Sequence, residues 1–327
     1  MKRLIICFLL VISPFIFLVG YFALFVTPNN SRGLGRLGMI AFDDNYEVCV
    51  DGKAKDNIPF TMDCLSSEPR DSMVLVIGDS FSREFIPYNY YVAAQRKEPF
   101  YKHSDITQNP FQYAVSLLNI QKERVPKKLI IETVERAMIT RLLTVDYSMD
   151  TLPPSEKIDK KTKPSNILLR AQEYYKKRLN IDNPVKHAKL SKDLFSCKGK
   201  ESDLYFYQDD LAAWRNEHLL DSAVQELNRF VSYLESYGVT PVIVIAADKY
   251  EIYRPYIINN PYDESDWLDR FIEKANCPSL VNSADTLRKM AANGVLDLYY
   301  SDDTHWSPVG AKAVADYLVP ILERKWD

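Results

Sequence analysis

Val74-Leu75-Val76-Ile77-Gly78-Asp79-Ser80-Phe81-Ser82 is the stretch on which the fold class turns. Met73 to Ile77 is a continuous apolar run closed by a glycine, which predicts a short buried strand. The Gly-Asp-Ser that follows predicts a tight turn at the strand's carboxyl end. Working outward, the same grammar repeats. Thr240-Pro241-Val242-Ile243-Val244-Ile245-Ala246-Ala247 is the strongest strand signal of the chain, and Phe100 to His103, Lys127 to Glu132 and Leu280-Val281 add shorter ones. Helical patterns lie between them: about Arg83 to Arg96 with Pro87 near its start, Pro110 to Glu123 with proline in the first turn, and Gln208 to Tyr237 closed by Gly238. Three more cover Glu264 to Ala275, Ala284 to Asn293 and Pro308 to Lys325. Alternating strands and helices predict an α/β fold, a parallel sheet with helices on both faces.

Composition narrows the function classes. With 41 Lys and Arg against 44 Asp and Glu, the chain lacks the basic excess that nucleic-acid binding calls for. It has only 10 glycines and neither a Walker sequence nor G-x-G-x-x-G, which disfavours phosphate-cradling loops. Leu4 to Val26 is uncharged and reaches the roughly 20 residues that a membrane-spanning helix needs. Lys2 and Arg3 precede it, so the expected arrangement has a cytoplasmic N-terminus and an exported body. Pro14 lies inside the run, where it would kink a helix. A cleaved signal peptide is the alternative, but residues 20–26 lack a small-x-small cleavage site, which favours an uncleaved anchor. The expected organisation is thus an anchor over 1–26, a polar tether over 27–70, and one domain over 71–327. A Lys-, Pro- and Ser-rich insertion at about 146–203 carries a helical stretch near Ile167 to Arg178. Export permits disulfides. Cys49, Cys64, Cys197 and Cys277 allow three pairings, of which Cys49–Cys64 with Cys197–Cys277 is the one expected, free thiols being the alternative. Their spacing does not resemble a zinc site, and no metal or cofactor is expected.

The chemistry-bearing residues sit at two strand or helix junctions. In an open parallel sheet, ligands gather outside the carboxyl ends of the strands. Ser80 stands there, next to amides that can stabilise an oxyanion. Ser301-Asp302-Asp303-Thr304-His305-Trp306-Ser307-Pro308 leads into the last helix, so His305 can return to the same edge. A serine, an imidazole and a carboxylate are the minimum for acyl transfer through a serine ester. A Gly-Asp-Ser tripeptide alone is usually a turn, and a lone Asp-x-His is usually a capping feature; the joint pattern is more specific. The orienting acid is Asp303 or, at D-x-x-H spacing, Asp302. Asp79 borders the nucleophile. Lys249 follows the strongest strand and stands within reach of the cleft, and Trp306 adjoins the histidine, although a salt bridge and a core aromatic are the commoner roles for these two. His187 and His218 read as solvated positions, and His103 as structural.

These blocks resemble the SGNH-hydrolase superfamily, and within it the alginate O-acetyltransferase (AlgJ/AlgX-like) group. The residues that carry the resemblance are Gly78-Asp79-Ser80-Phe81-Ser82, Asp303-Thr304-His305-Trp306-Ser307-Pro308 with Gly310-Ala311, and Ile131-Glu132-Thr133-Val134-Glu135-Arg136. In outline it covers about Asp71 to Asp327. It implies a flavodoxin-like parallel sheet, and it favours Asp303 because Thr304-His305-Trp306 follows as in the group. The serine block precedes the histidine block here, as in most SGNH hydrolases and unlike the alginate enzymes. No Gly-x-Asn block is evident, so amides at Ser80, with Arg136 as a further donor, are the expected oxyanion hole. The implied activity is O-acetyl transfer to an exported polysaccharide. The implied partner is a membrane-bound O-acyltransferase that supplies acetyl groups, with this chain anchored in the inner membrane and its body in the periplasm. A carbohydrate esterase with the same triad and a non-catalytic glycan-binding or scaffold subunit are the competing readings.

Overall fold

The computed structural model describes residues 12–17, 73–82, 87–98, 100–102, 109–121, 125–153, 185–211, 216–262 and 265–327. Five strands, β1 (Val74–Ile77), β2 (Phe100–Lys102), β3 (Lys128–Val134), β6 (Thr240–Ala246) and β7 (Leu280–Asn282), form one sheet in the order β2-β1-β3-β6-β7. Every neighbouring pair is parallel, with Ile77 level with Ile131, Lys128 with Thr240, and Ile243 with Leu280. Counted within this sheet the order is 2-1-3-4-5, that of a flavodoxin-like doubly wound fold. Continuous Val, Ile and Leu runs are what a sheet covered on both faces requires, and β1 and most of β3 and β6 are buried along their length.

The helices fall into two groups. α1 (Tyr88–Arg96), α7 (Ser283–Ala292) and α8 (Pro308–Trp326) pack together, as do α2 (Pro110–Gln121), α3 (Glu135–Leu143), α4 (Leu220–Ser236) and α6 (Trp267–Ala275). Right-handed crossovers that move one way and then the other from β1 put these groups on opposite faces. α4 shows the packing logic. Leu220, Ala223, Val224, Leu227, Phe230, Val231 and Leu234 recur at three- and four-residue spacing and are all buried. Each large apolar side chain so placed contributes about 1.5–3 kcal/mol.

Because all five strands run the same way, their carboxyl ends share one edge. Ser80 follows β1, Arg136 follows β3, and Asp248 and Lys249 follow β6; Lys249 opens the short helix α5 (Lys249–Tyr253).

Several expectations are corrected. The helix expected over Gln208 to Tyr237 begins only at Leu220, preceded by 3₁₀ turns at Gln208–Leu211 and Glu217–Leu219. The expected insertion ends in an antiparallel hairpin, β4 (Val185–Lys189) with β5 (Asp203–Tyr207), that stands apart from the main sheet. Cys197 is disulfide-bonded, whereas Cys277, in the turn between α6 and β7, is a free thiol packed against the core; the Cys197–Cys277 pairing is therefore overturned. Cys49 and Cys64 lie outside the described residues, as do His103, the tether and the helical stretch near Ile167 to Arg178. Of the expected span Leu4 to Val26 only 12–17 are described, and they are helical. Among the described residues no helix is long and apolar enough to cross a membrane.

Candidate active site

The nucleophile turn is built on buried carboxyl groups. β1 ends at Ile77, and Gly78 then passes so close to β3 that a Cβ there would lie 2.3 Å from Ser82 Oγ and 2.7 Å from Glu132 Oε2. No side chain fits, which is the physical reason for glycine at this point. The next amide, Asp79 N–H, donates to Glu132 Oε2 at 3.0 Å, and Ser82 Oγ donates to the same oxygen at 2.9 Å. The Asp79 carboxylate accepts from Phe81 N–H at 3.1 Å, from Val134 N–H at 3.0 Å and from Arg141 Nη1 at 2.7 Å. Arg141 also donates to Thr133 Oγ1 at 2.8 Å.

These two acids are pushed apart. Burial raises the Asp79 pKa, but the Arg141 guanidinium and the hydrogen bonds outweigh it and hold the carboxyl below its ordinary value. Burial, with the Asp79 charge beside it, drives Glu132 well above its ordinary value. Two buried carboxyl groups whose pKa values are driven in opposite directions thus brace the turn from beneath.

The imidazole arrives on a loop with its own scaffold. Tyr299 and Trp306 pair as an antiparallel bridge, and Tyr300 N–H donates to His305 O at 3.2 Å. Tyr299 Oη donates to Ala247 O at 2.7 Å, which ties the loop to the end of β6. Ser307 caps α8 by accepting from Val309 N–H at 3.0 Å and Gly310 N–H at 3.4 Å, and Pro308 occupies the first helical position. A Cβ on Gly310 would lie 2.0 Å from Leu298 O, so glycine lets the helix start seat against the loop. The Ser-Pro-x-Gly run is therefore the mooring of the histidine loop. The Phe81 ring packs on the imidazole at a centroid distance of 4.9 Å and edge-on to Trp306 at 4.9 Å.

Across 225 residues of chain, His305 Nε2 meets Ser80 Oγ at 2.7 Å. On the other side of the ring, Nδ1 lies 2.5 Å from Asp303 Oδ1, which also accepts His305 N–H at 3.0 Å. Asp303 is buried, and Ser80 and His305 are half-buried. A carboxylate on Nδ1 leaves Nε2 free to accept the serine proton and stabilises the imidazolium once formed. Among the described residues the Ser80 N–H makes no hydrogen bond, and it stands beside the hydroxyl where an oxyanion would develop.

The remaining candidates separate on geometry. Asp302 is buried and helps keep a positive charge on Lys249, while the imidazole takes the D-x-H partner, Asp303. Asp79 does not line the cleft: its oxygens are committed to two amides and Arg141 under the turn. Arg136 is no ready oxyanion donor, because its Nη1 is bound to Asp210 and Asp248 and its guanidinium lies over the Tyr207 ring. Lys249 is fully buried and reaches the loop from below instead of the cleft. Trp306 is buried between Phe81 and Tyr88 as part of the core. His218 is exposed. His187 lies on the hairpin, 2.5 Å from Asp203 and stacked on Tyr205.

Sequence reasoning quoted Glu132, Thr133 and Glu135 only as a motif and missed Arg141, Asp210 and Asp248. Glu135 Oε2 accepts Asp248 N–H at 2.9 Å, which couples the end of β3 to the end of β6. Burial raises Asp210 to about 6 against the pull of Arg136, and it raises Glu135 and Asp248 well above the ordinary range.

Residues 197–326 match the family model of the SGNH hydrolase-like domain, acetyltransferase AlgX. The matched span holds Asp303, His305 and Lys249 but begins after the nucleophile turn. No curated protein and no solved structure matches the chain. The motif resemblance and the family match agree: residues 197–326 are similar to the SGNH hydrolase-like domain of acetyltransferase AlgX, and the nucleophile turn outside that span carries the matching Gly-Asp-Ser block.

Proposed function

We propose that this protein is a serine O-acetyltransferase that moves an acetyl group onto a hydroxyl of an exported or cell-surface polysaccharide. The observation that carries the reading is the contact of Ser80 Oγ with His305 Nε2, backed by Asp303 on Nδ1, at the carboxyl edge of the sheet. The AlgX-like match over residues 197–326 supports acetyl transfer as its use.

In this mechanism His305 Nε2 takes the Ser80 hydroxyl proton as Oγ attacks the donor's acetyl carbonyl. The Ser80 N–H stabilises the oxyanion. The intermediate collapses to acetyl-Ser80, and the imidazolium passes its proton to the departing donor group. An acceptor sugar hydroxyl then gives its proton to Nε2 and attacks the ester carbonyl. Collapse yields the O-acetyl sugar, and His305 returns the proton to Ser80 Oγ. Asp303 holds the ring in one tautomer throughout and stays ionised. Acetyl groups would come from a membrane-bound O-acyltransferase partner, with Leu4 to Val26 holding the domain at the outer face of the inner membrane.

The test incubates the protein with an acetyl-ester donor, with and without oligosaccharides, and follows acetate and acetylated sugar by mass spectrometry. Sugar acetylation that vanishes in Ser80→Ala supports transfer. Acetate release indifferent to sugar makes the protein an esterase. Glycan binding without Ser80-dependent turnover of any donor makes it a non-catalytic subunit and overturns the proposal.

A further inference from the structure

Lys249 begins α5 immediately beyond the longest apolar strand, and its side chain is fully buried. The ammonium is aimed at the main chain of the histidine loop. Nζ donates to Tyr300 O at 2.7 Å, Ser301 O at 3.0 Å and Asp303 O at 3.2 Å. An ammonium carries three N–H donors, so one turn of the loop uses the whole set. That turn lies inside the Tyr299–Trp306 bridge and delivers both the acid and the imidazole. Three carbonyls converging on one point would repel one another without a cation between them.

The surroundings explain why the cation persists. Asp302 and Asp303 face it from the loop, Asp297 from the segment before the loop, and Asp210 from the 3₁₀ turn after β5. The Phe195 ring covers it, with Nζ 5.0 Å from the centroid. Burial lowers the amine to about 7, against the pull of those four carboxylates. The hydrogen bonds nonetheless go to carbonyls, so the charge is spent on the shape of the loop.

We propose that Lys249 is a positioning residue: its ammonium clamps the 300–303 turn and thereby fixes the Asp303 carboxylate against His305 and His305 against Ser80. The inference rests on the reading that Ser80, His305 and Asp303 form the catalytic relay. It adds a dependence on a group that never meets substrate. Loss of the lysine proton removes one of three donors and loosens the turn, so turnover falls on the alkaline side with a midpoint near the amine's value of about 7.

The test uses p-nitrophenyl acetate, whose hydrolysis needs only an active nucleophile. Wild type, Ser80→Ala, Lys249→Met and Lys249→Arg are compared for kcat, KM and pH profile, with the downfield Nδ1–H proton resonance of His305 as a direct readout of the Asp303 contact. A displacement of about 1 Å costs on the order of 10²-fold in rate. Lys249→Met is therefore expected to lower kcat about 100-fold with KM nearly unchanged, to lose the downfield resonance and to abolish the alkaline fall, while Lys249→Arg restores part of kcat by keeping a cation. Wild-type turnover in Lys249→Met, or an intact resonance in it, overturns the proposal. Should Lys249→Met fail to fold, wild type decides alone: resonance and kcat that fall together through the amine titration support the clamp, and a flat profile above pH 7 refutes it. Turnover equal in Ser80→Ala and wild type instead removes the relay itself, a failure distinct from that of the clamp.

Discussion

Arg141→Met is the perturbation that most directly probes how the nucleophile turn is held. The guanidinium donates to Asp79 Oδ2 at 2.7 Å, and the two side chains are 14% and 5% exposed. The substitution leaves a similar apolar stem but no charge. Asp79 then keeps the Phe81 and Val134 amides and its contact with the Glu132 carboxyl, and its buried negative charge loses its hydrogen-bonded cation. Removing one partner of such a pair costs about 3–5 kcal/mol. For a domain of this size each kcal/mol shifts Tm by about 2–4 °C, so the expected fall at pH 7 is about 6–20 °C.

The pH dependence gives the sharper signature. In wild type the folded Asp79 pKa lies below the unfolded value of about 3.9. Its contribution is therefore complete above that value and lost as pH falls through the folded pKa. Without Arg141, only hydrogen bonds oppose burial, which was the largest influence on this group, so the folded pKa is expected to rise above the unfolded one and the sign to reverse. The variant is penalised at neutral pH and recovers as acid neutralises Asp79. The Tm gap between wild type and Arg141→Met should thus narrow steadily from pH 7 to pH 4, read by calorimetry or thermal circular dichroism. Asp79→Asn placed in the Arg141→Met background should regain stability at pH 7, because the amide carries no charge and keeps an acceptor for one of the two amides. A gap independent of pH, or a double mutant that loses the sum of the single losses, would refute a buried charge pair as the brace of this turn.

Four further substitutions follow from the same geometry. Asp303→Asn removes the carboxylate on His305 Nδ1 and should lower kcat by about 10⁴-fold, the effect of supplying the wrong tautomer; Asp302→Asn should spare most of kcat but move the alkaline fall to lower pH, since Asp302 helps hold the Lys249 proton. Glu132 has a folded pKa above its unfolded value of about 4.3, so the native state binds the extra proton and wild type loses stability as pH rises through that window. Glu132→Gln lacks that loss, and thermal melts should show its Tm gaining on wild type as pH rises above about 4.3. Gly310→Ala puts a methyl 2.0 Å from Leu298 O; overpacking of this kind costs about 1–3 kcal/mol, and both Tm and turnover should fall because the start of α8 carries the histidine loop.

What the sequence made legible is what depends on neighbours in the chain. The run Val74 to Ile77 could only be a buried strand, and a parallel sheet puts the residue after such a strand at the ligand edge, which located Ser80. Ser307-Pro308-x-Gly310 is a cap, a first-turn proline and a close approach, all written within four residues, and they located the mouth on which His305 stands. The β4–β5 hairpin escaped because Lys186-His187-Ala188-Lys189 offers no apolar run; its strands are held by each other and by one buried side. The helix expected from Gln208 was misjudged for a related reason, since Asp210 looks like an ordinary solvated helical acid but is buried against Arg136, 74 residues away.

Asp79 shows most clearly where local reading stops. Proximity to Ser80 in sequence made it a cleft candidate, yet the 3₁₀ turn over Ser80–Ser82 sends the serine up to the imidazole and leaves the aspartate beneath, where Arg141 and the Val134 amide meet it. Lys249 repeats the pattern at the end of β6: the edge position was legible, and the direction of the side chain was not. At a strand end consecutive side chains point to opposite sides. Whether a polar residue there faces substrate or becomes a buried brace depends on what the neighbouring strand supplies beneath it. The brace of Ser80 therefore comes from β3 and α3, and that of His305 from α5, so the relay depends on the register of β1, β3 and β6 as much as on its own three residues.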